Sequence, residues 1–80
     1  MSYFYTITLH GYKSNKEFHL NPNLFERIEP VVNTKTNHTN IYIGGINYIN
    51  PDGTRQPNYE VKETLEQIEA LCKEKTSFNL

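Results

Sequence analysis

Residues 18–30, FHLNPNLFERIEP, decide the fold. Phe18 and Leu20 alternate with Glu17 and His19, the period of a strand with one apolar face. Asn21-Pro22 then interrupts the strand. The Asn side-chain oxygen can accept from a backbone N–H one turn on. Pro suits the first helical position, where its missing N–H costs nothing. Only about one turn fits before alternation resumes at Ile28, running to Val32. The stretch reads as a strand, a corner and a strand, with Leu24 and Phe25 facing the core and one of them plugging the bend. Pro30 cannot donate to a ladder, so its strand is expected at an edge or interrupted there.

Working outward, Tyr3, Tyr5, Ile7 and Leu9 fall on one face of an opening strand, with Phe4, Thr6, Thr8 and His10 on the other. Gly11 to Asn15 is a polar hairpin loop returning to Lys16–Leu20. Asn33 to Asn40, NTKTNHTN, is wholly polar and reads as loop. IYIGG follows, with Ile41 and Ile43 on one face and Tyr42 on the other. Gly44-Gly45 suggests a tight turn that makes INYIN the second strand of a hairpin. Asn50-Pro51-Asp52-Gly53 is another turn signal, Thr54 to Asn58 reads as loop, and Tyr59–Val61 as a last short strand.

The C-terminal helix carries the strongest local signal. Thr64 and Gln67 form a capping box. Leu65, Ile68, Leu71 and Cys72 recur on one face, while Glu66, Gln67, Glu69, Lys73 and Glu74 take the solvent side. Thr76 to Leu80 reads as a short tail whose Phe78 and Leu80 can dock on a neighbour. The expected fold is α+β: residues 1–80 as one domain, a small antiparallel sheet of about five short strands with one C-terminal α-helix.

Composition narrows the function. Lys plus Arg number 8 against 9 for Asp plus Glu, scattered along the chain, which gives nucleic acid no basic patch to hold. The opening MSYFYTITLH alternates, unlike a signal peptide or a membrane span, so a cytoplasmic protein without membrane insertion is expected. The single Cys72 fits a reducing compartment. Asn37-His38-Thr39 matches the glycosylation pattern by chance in such a setting. A chain of 80 residues builds only a modest core, and self-association is a common remedy.

No catalytic constellation emerges. His10, His19 and His38 have no Cys or carboxylate at ligand spacing, so no metal or other cofactor is expected. Cys72 lies late on the apolar face of a helix, where it fills core and lacks an activating base. Glu60 and Glu63 flank a helix start with no second feature beside them, and Gly44-Gly45 is too short for a phosphate loop. The remaining candidate site is the segment around residues 48–59. Tyr48, Asp52, Thr54, Arg55 and Tyr59 bring aromatic faces, a turn and a guanidinium together, able to stack on a ring or fork onto a small anionic ligand.

With these blocks in view, the chain resembles the FlbD (or SwrD) family of small flagellar-motility proteins. Leu20, Asn21, Pro22, Leu24, Ile28 and Glu29 match its first block, and Tyr59, Val61, Glu63, Thr64, Ile68 and Leu71 its last. The resemblance covers Ile7 to Leu71 and implies a β-rich module with a terminal helix, acting by contact with a protein partner and without catalysis. The chain departs from that pattern by an inserted YINPDGTRQPN and an added MSYFY. The alternative is an oligomeric binder that sequesters a nucleotide-type immune signal in a pocket between protomers. The abundance of Asn, Ile, Tyr and Lys beside a single Ala suggests an AT-rich genome and suits a phage-encoded protein of that kind.

Overall fold

The structure is a computed structural model that describes residues 5–78. The elements run β1 (Ile7–His10), β2 (Glu17–Leu20), a 3-10 turn (Pro22–Leu24), β3 (Phe25–Val32), β4 (Asn37–Ile43), β5 (Tyr48–Ile49), β6 (Arg55–Gln56), β7 (Tyr59–Val61) and α1 (Leu65–Phe78). All strand pairs are antiparallel, in three small sheets ordered β1-β2, β3-β4-β7 and β5-β6. The fold is α+β, as the sequence indicates.

β1 and β2 form the expected hairpin, with Ile7 opposite Leu20 and Leu9 opposite Phe18. Their far end continues onto β7 through a bridge between Gly11 and Val61. There the Lys62 N–H donates to His10 O (2.8 Å) and the Tyr12 N–H to Glu60 O (2.9 Å). The first two sheets thereby share one inner face, and α1 closes it. Ile7, Leu9, Ile41, Val61 and Ile68 are buried together, with Phe18, Leu20, Phe25, Ile28, Leu71 and Cys72 packed around them. Tyr3 and Phe4 of the opening strand, and Leu80 of the tail, lie outside the described residues.

The helix starts as its sequence dictates. The Thr64 N–H donates to Gln67 Oε1 (2.9 Å) and the Gln67 N–H to Thr64 Oγ1 (3.2 Å), two otherwise orphaned donors satisfied reciprocally. It runs on to Phe78, so residues 76–78 continue the helix where a tail is expected.

The corner also forms as read, with one correction. Asn21 Oδ1 accepts from the Asn23 N–H (2.9 Å) and Pro22 opens the turn. Phe25 packs on the core and Leu24 faces outward. A 3-10 turn has three residues per turn, and β3 begins at once at Phe25 instead of Ile28. A single inward apolar side chain therefore suffices to plug the bend.

Residues 37–40 are strand, not loop. The true turn is residues 33–36, where Asn33 Oδ1 accepts from the Lys35 and Thr36 N–H groups. Thr39 is 0 % exposed, opposite both Pro30 and Val61. Its hydroxyl donates to Glu63 O (2.7 Å), which is how a polar residue enters the core without an unmade bond.

β3 is an edge strand, as Pro30 requires. The Asn58 N–H donates to Ile41 O (2.9 Å) and the Ile43 N–H to Asn58 Oδ1 (2.8 Å), so odd-numbered residues of β4 turn their backbone groups toward β7. Even-numbered His38, Asn40 and Tyr42 turn theirs toward β3, opposite Val31, Glu29 and Arg27. Pro30 falls between these pairs, with its ring nitrogen at the open edge. It removes no ladder bond and deletes a donor that another strand would use.

The segment after Gly45 departs from expectation. It does not pair with β4, whose second neighbour is β7. Instead β5 pairs with β6 inside what reads as loop, Tyr48 opposite Gln56 and Ile49 opposite Arg55. Gly45 takes φ 84°, so the chain does turn there, but it turns away from the sheet.

Candidate interaction surface

The hairpin of β5 and β6 is built from its turn outward. The Asn50 N–H donates to Thr54 O (2.7 Å), the Gly53 N–H to Asn50 O (2.9 Å), and Gly53 takes φ 91°. Asp52 Oδ1 accepts from the Thr54 hydroxyl (2.6 Å) and its N–H (3.0 Å). Those two bonds hold the Asp52 carboxyl below its ordinary 3.8. Asp52 and Thr54 thus serve the turn, at the tip of the hairpin.

Arg55 reaches back under the hairpin. Its Nη1 donates to Glu26 Oε2 (2.6 Å) and its Nη2 to Ile43 O (2.8 Å) and Ile46 O (3.2 Å). The guanidinium lies 5.2 Å from the centre of the Tyr42 ring, and Arg27 lies 4.4 Å from that centre. Tyr42 is buried on the outer face of the sheet by these two cations. The fork a phosphate would need is thus occupied by a carboxylate and two carbonyls. Asn58 completes the attachment, its Nδ2 donating to Ile46 O (3.3 Å).

Tyr48 and Tyr59 meet in a groove of about 440 Å³ between the hairpin and the 3-10 corner. Tyr59 leans on Phe18, with ring centroids 5.0 Å apart at 58°. Leu20, Leu24, Ile43 and Ile46 supply the rest of its apolar lining. Of the five residues singled out in the sequence, the structure brings Tyr48 and Tyr59 together, uses Arg55 as a tie, and leaves Asp52 and Thr54 at the turn.

Three exposed apolar residues escape the sequence reading: Leu24, Ile46 and Ile49, 60 %, 48 % and 61 % exposed, beside Tyr48 at 55 %. Leu24 is missed because it is read as a plug. Ile46 and Ile49 are missed because they read as a strand of the main sheet. A signal was present: INYIN carries apolar residues on both faces, more than one sheet partner can cover.

The titratable groups elsewhere cement the fold. Glu63 receives the His10 N–H on Oε1 (2.9 Å) and meets His10 Nδ1 at Oε2 (2.6 Å), where β1 joins β7. Burial pushes the Glu63 carboxyl up, but the hydrogen bonds from His10 and its charge outweigh this and hold it below the ordinary 4.5. His10 Nε2 lies 3.9 Å from Glu17. His19 Nδ1 is 3.1 Å from Thr8 Oγ1, and His38 stacks on Tyr12 at 4.1 Å and 16°. Among the described residues no three or more His, Cys, Asp or Glu side chains are grouped to hold a metal, and no helix is long and apolar enough to cross a membrane.

No family model, curated protein or solved structure matches this chain.

Proposed function

We propose that this chain is a non-enzymatic contact module that recognises protein through the apolar groove between the 3-10 corner and the β5–β6 hairpin. One observation carries the reading: Leu24, Ile46 and Tyr48, in the lining of a groove of about 440 Å³, are all about half exposed or more, and Ile49, next to Tyr48 on the other face of β5, is as exposed as they are. At about 200 Å² for a fully exposed side chain of this size, the four present roughly 450 Å². Exposed apolar surface of that extent is in the range of the largest patch of a small monomer, which is often functional.

The other surfaces favour this choice. The open edge of β3 is blunted by Pro30 against strand addition. The outer side of α1 presents Glu66, Gln67, Glu69 and Lys73 to solvent. Contact without chemistry is also what the FlbD resemblance implies, and the inserted residues build one wall of the groove.

The internal engagement of Arg55 weighs against the nucleotide-sequestering alternative. A thermal-shift screen with mono-, di- and cyclic nucleotides tests the choice. The contact reading expects no shift with any of them. A ligand at 100 times its Kd stabilises by about 2.7 kcal/mol, a rise of many degrees for a chain this small. Such a rise, lost in Tyr48→Ala, would overturn the proposal.

A further inference from the structure

We infer that the occupant of this groove is a second copy of the same chain, paired about a twofold axis with the β5–β6 hairpin of each copy lying in the groove of the other. The inference rests on the contact reading above and names the partner.

A twofold interface uses one patch twice, so the patch must contain both a projection and a recess. This one does. Among the described residues β5 and β6 pair only with each other, and the hairpin stands beside the groove it helps to line. Tyr48 and Ile49 alternate along β5 and so point to opposite faces of the hairpin, yet both are more than half exposed. A two-stranded hairpin with no core of its own is marginal in water. Apolar side chains on both its faces receive only partial cover from the described residues.

Charge sets no barrier to self-pairing. Around a twofold axis like residues approach like residues, and a charged patch would repel its own copy. The polar part of the lining is Thr6, His19, Asn21 and Asn58. Among the described residues no Asp, Glu, Lys or Arg lines the groove. Glu26 and Arg55, which join the corner to the hairpin, neutralise each other at 2.6 Å.

Area agrees as well. The four exposed side chains supply roughly 450 Å², more than half of the ~800 Å² that each partner contributes to an interface of standard size. Leu20, Ile43 and Tyr59 in the floor add to it.

Sedimentation equilibrium or light scattering after gel filtration, from low to high micromolar concentration, tests the inference. The wild-type chain is expected to run as a dimer. Leu24→Asp on the groove wall and Ile49→Asp on the hairpin are expected to shift it to monomer. Each removes a leucine- or isoleucine-sized contact, weakening association about 100-fold or more. Both side chains are exposed within one chain, so circular dichroism should report an unchanged fold. Val32→Asp is the control, since Val32 is 75 % exposed but lines a different groove, beside Thr64 and Leu65. It should leave the dimer intact. A wild-type monomer across the range would overturn the self-pairing and leave the contact reading standing. A dimer broken by Val32→Asp but not by the other two would place the interface elsewhere and overturn it too. A nucleotide shift, by contrast, sinks the contact reading itself.

Discussion

Arg55→Ala should loosen the β5–β6 hairpin while leaving the main body folded. The side chain makes three kinds of contact. The bond to Ile43 O at 2.8 Å is partly buried and charge-assisted, worth about 1.5 kcal/mol. The pair with Glu26 at 2.6 Å is half exposed at the carboxylate and contributes about 0.5 kcal/mol. The Tyr42 ring and the longer bond to Ile46 O add about 1 kcal/mol together. The total, about 3 kcal/mol, is the free energy that holds the hairpin against the sheet.

Because β5 and β6 pair only with each other among the described residues, this loss appears as local opening and not as global unfolding. An opening made easier by about 3 kcal/mol speeds amide exchange by roughly 100-fold. Hydrogen exchange followed by mass spectrometry, at protein concentrations low enough to keep the chain monomeric, reads this directly. The hydrogen-bonded amides of Asn50 and Gly53 should accelerate, while those of β1, β4 and the first turns of α1 keep their rates. Arg55→Lys should fall in between, since one ammonium cannot reach a carboxylate and two carbonyls together. Unchanged exchange in residues 48–56 would show that the guanidinium is not the tie. An equal acceleration everywhere would show that the hairpin belongs to the global folding unit. Either result refutes the reasoning.

Glu63→Gln should keep an acceptor for the His10 N–H and lose the charge, costing about 1 kcal/mol at neutral pH in urea unfolding. The Glu63 carboxyl is held below 4.5, so its contribution is fully present above that value and is lost as pH falls through its lower folded value. The variant should therefore show a shallower loss of stability below pH 4.5 than the wild type; an identical profile would remove Glu63 from the acid response. Thr39→Val should cost about 1–2 kcal/mol, because the partly buried Glu63 carbonyl loses its donor, whereas Thr39→Ser should recover most of the loss. The shift of the urea midpoint decides between them.

What was legible in the sequence is what local chemistry fixes. The capping box of Thr64 and Gln67 and the apolar spacing of Ile68, Leu71 and Cys72 lie within one segment, and α1 follows from them. The Asn21-Pro22 corner and the edge position of Pro30 follow from one side-chain acceptor and one missing donor. What failed depends on partners far along the chain. Asn37–Asn40 are polar and look like loop, yet they pair with β3 on one side and, through Thr39 and Asn40, with β7 on the other. The Gly44-Gly45 turn signal is real, but β7 already occupies the side of β4 that INYIN would need. Tertiary pairing overrode local preference in both places.

The candidate site divides along the same line. Tyr48 and Tyr59 were legible as a pair because aromatic residues near a turn gather apolar surface wherever the chain folds back. Arg55 was legible as important but not in its partners, because Glu26 lies 29 positions away and the Ile43 carbonyl 12. That distance has a structural consequence. Glu26 follows Leu24 and Phe25 out of the corner, and Ile46 and Tyr48 stand on the hairpin, so the Arg55–Glu26 bond spans the two walls of the groove. A hairpin of two strands cannot set its own angle to a sheet it does not pair with. The guanidinium sets it instead, through bonds whose fork geometry admits little rotation. The groove therefore owes its width to a residue that does not line it. Leu24, Ile46 and Tyr48 are then held at fixed separation before anything docks, which lowers the ordering cost of binding. A hairpin left untied would swing away from the sheet, and the groove would lose one wall. Tied as it is, it keeps that wall in place, and this is the physical support for the proposal that residues 46–58 form a contact surface.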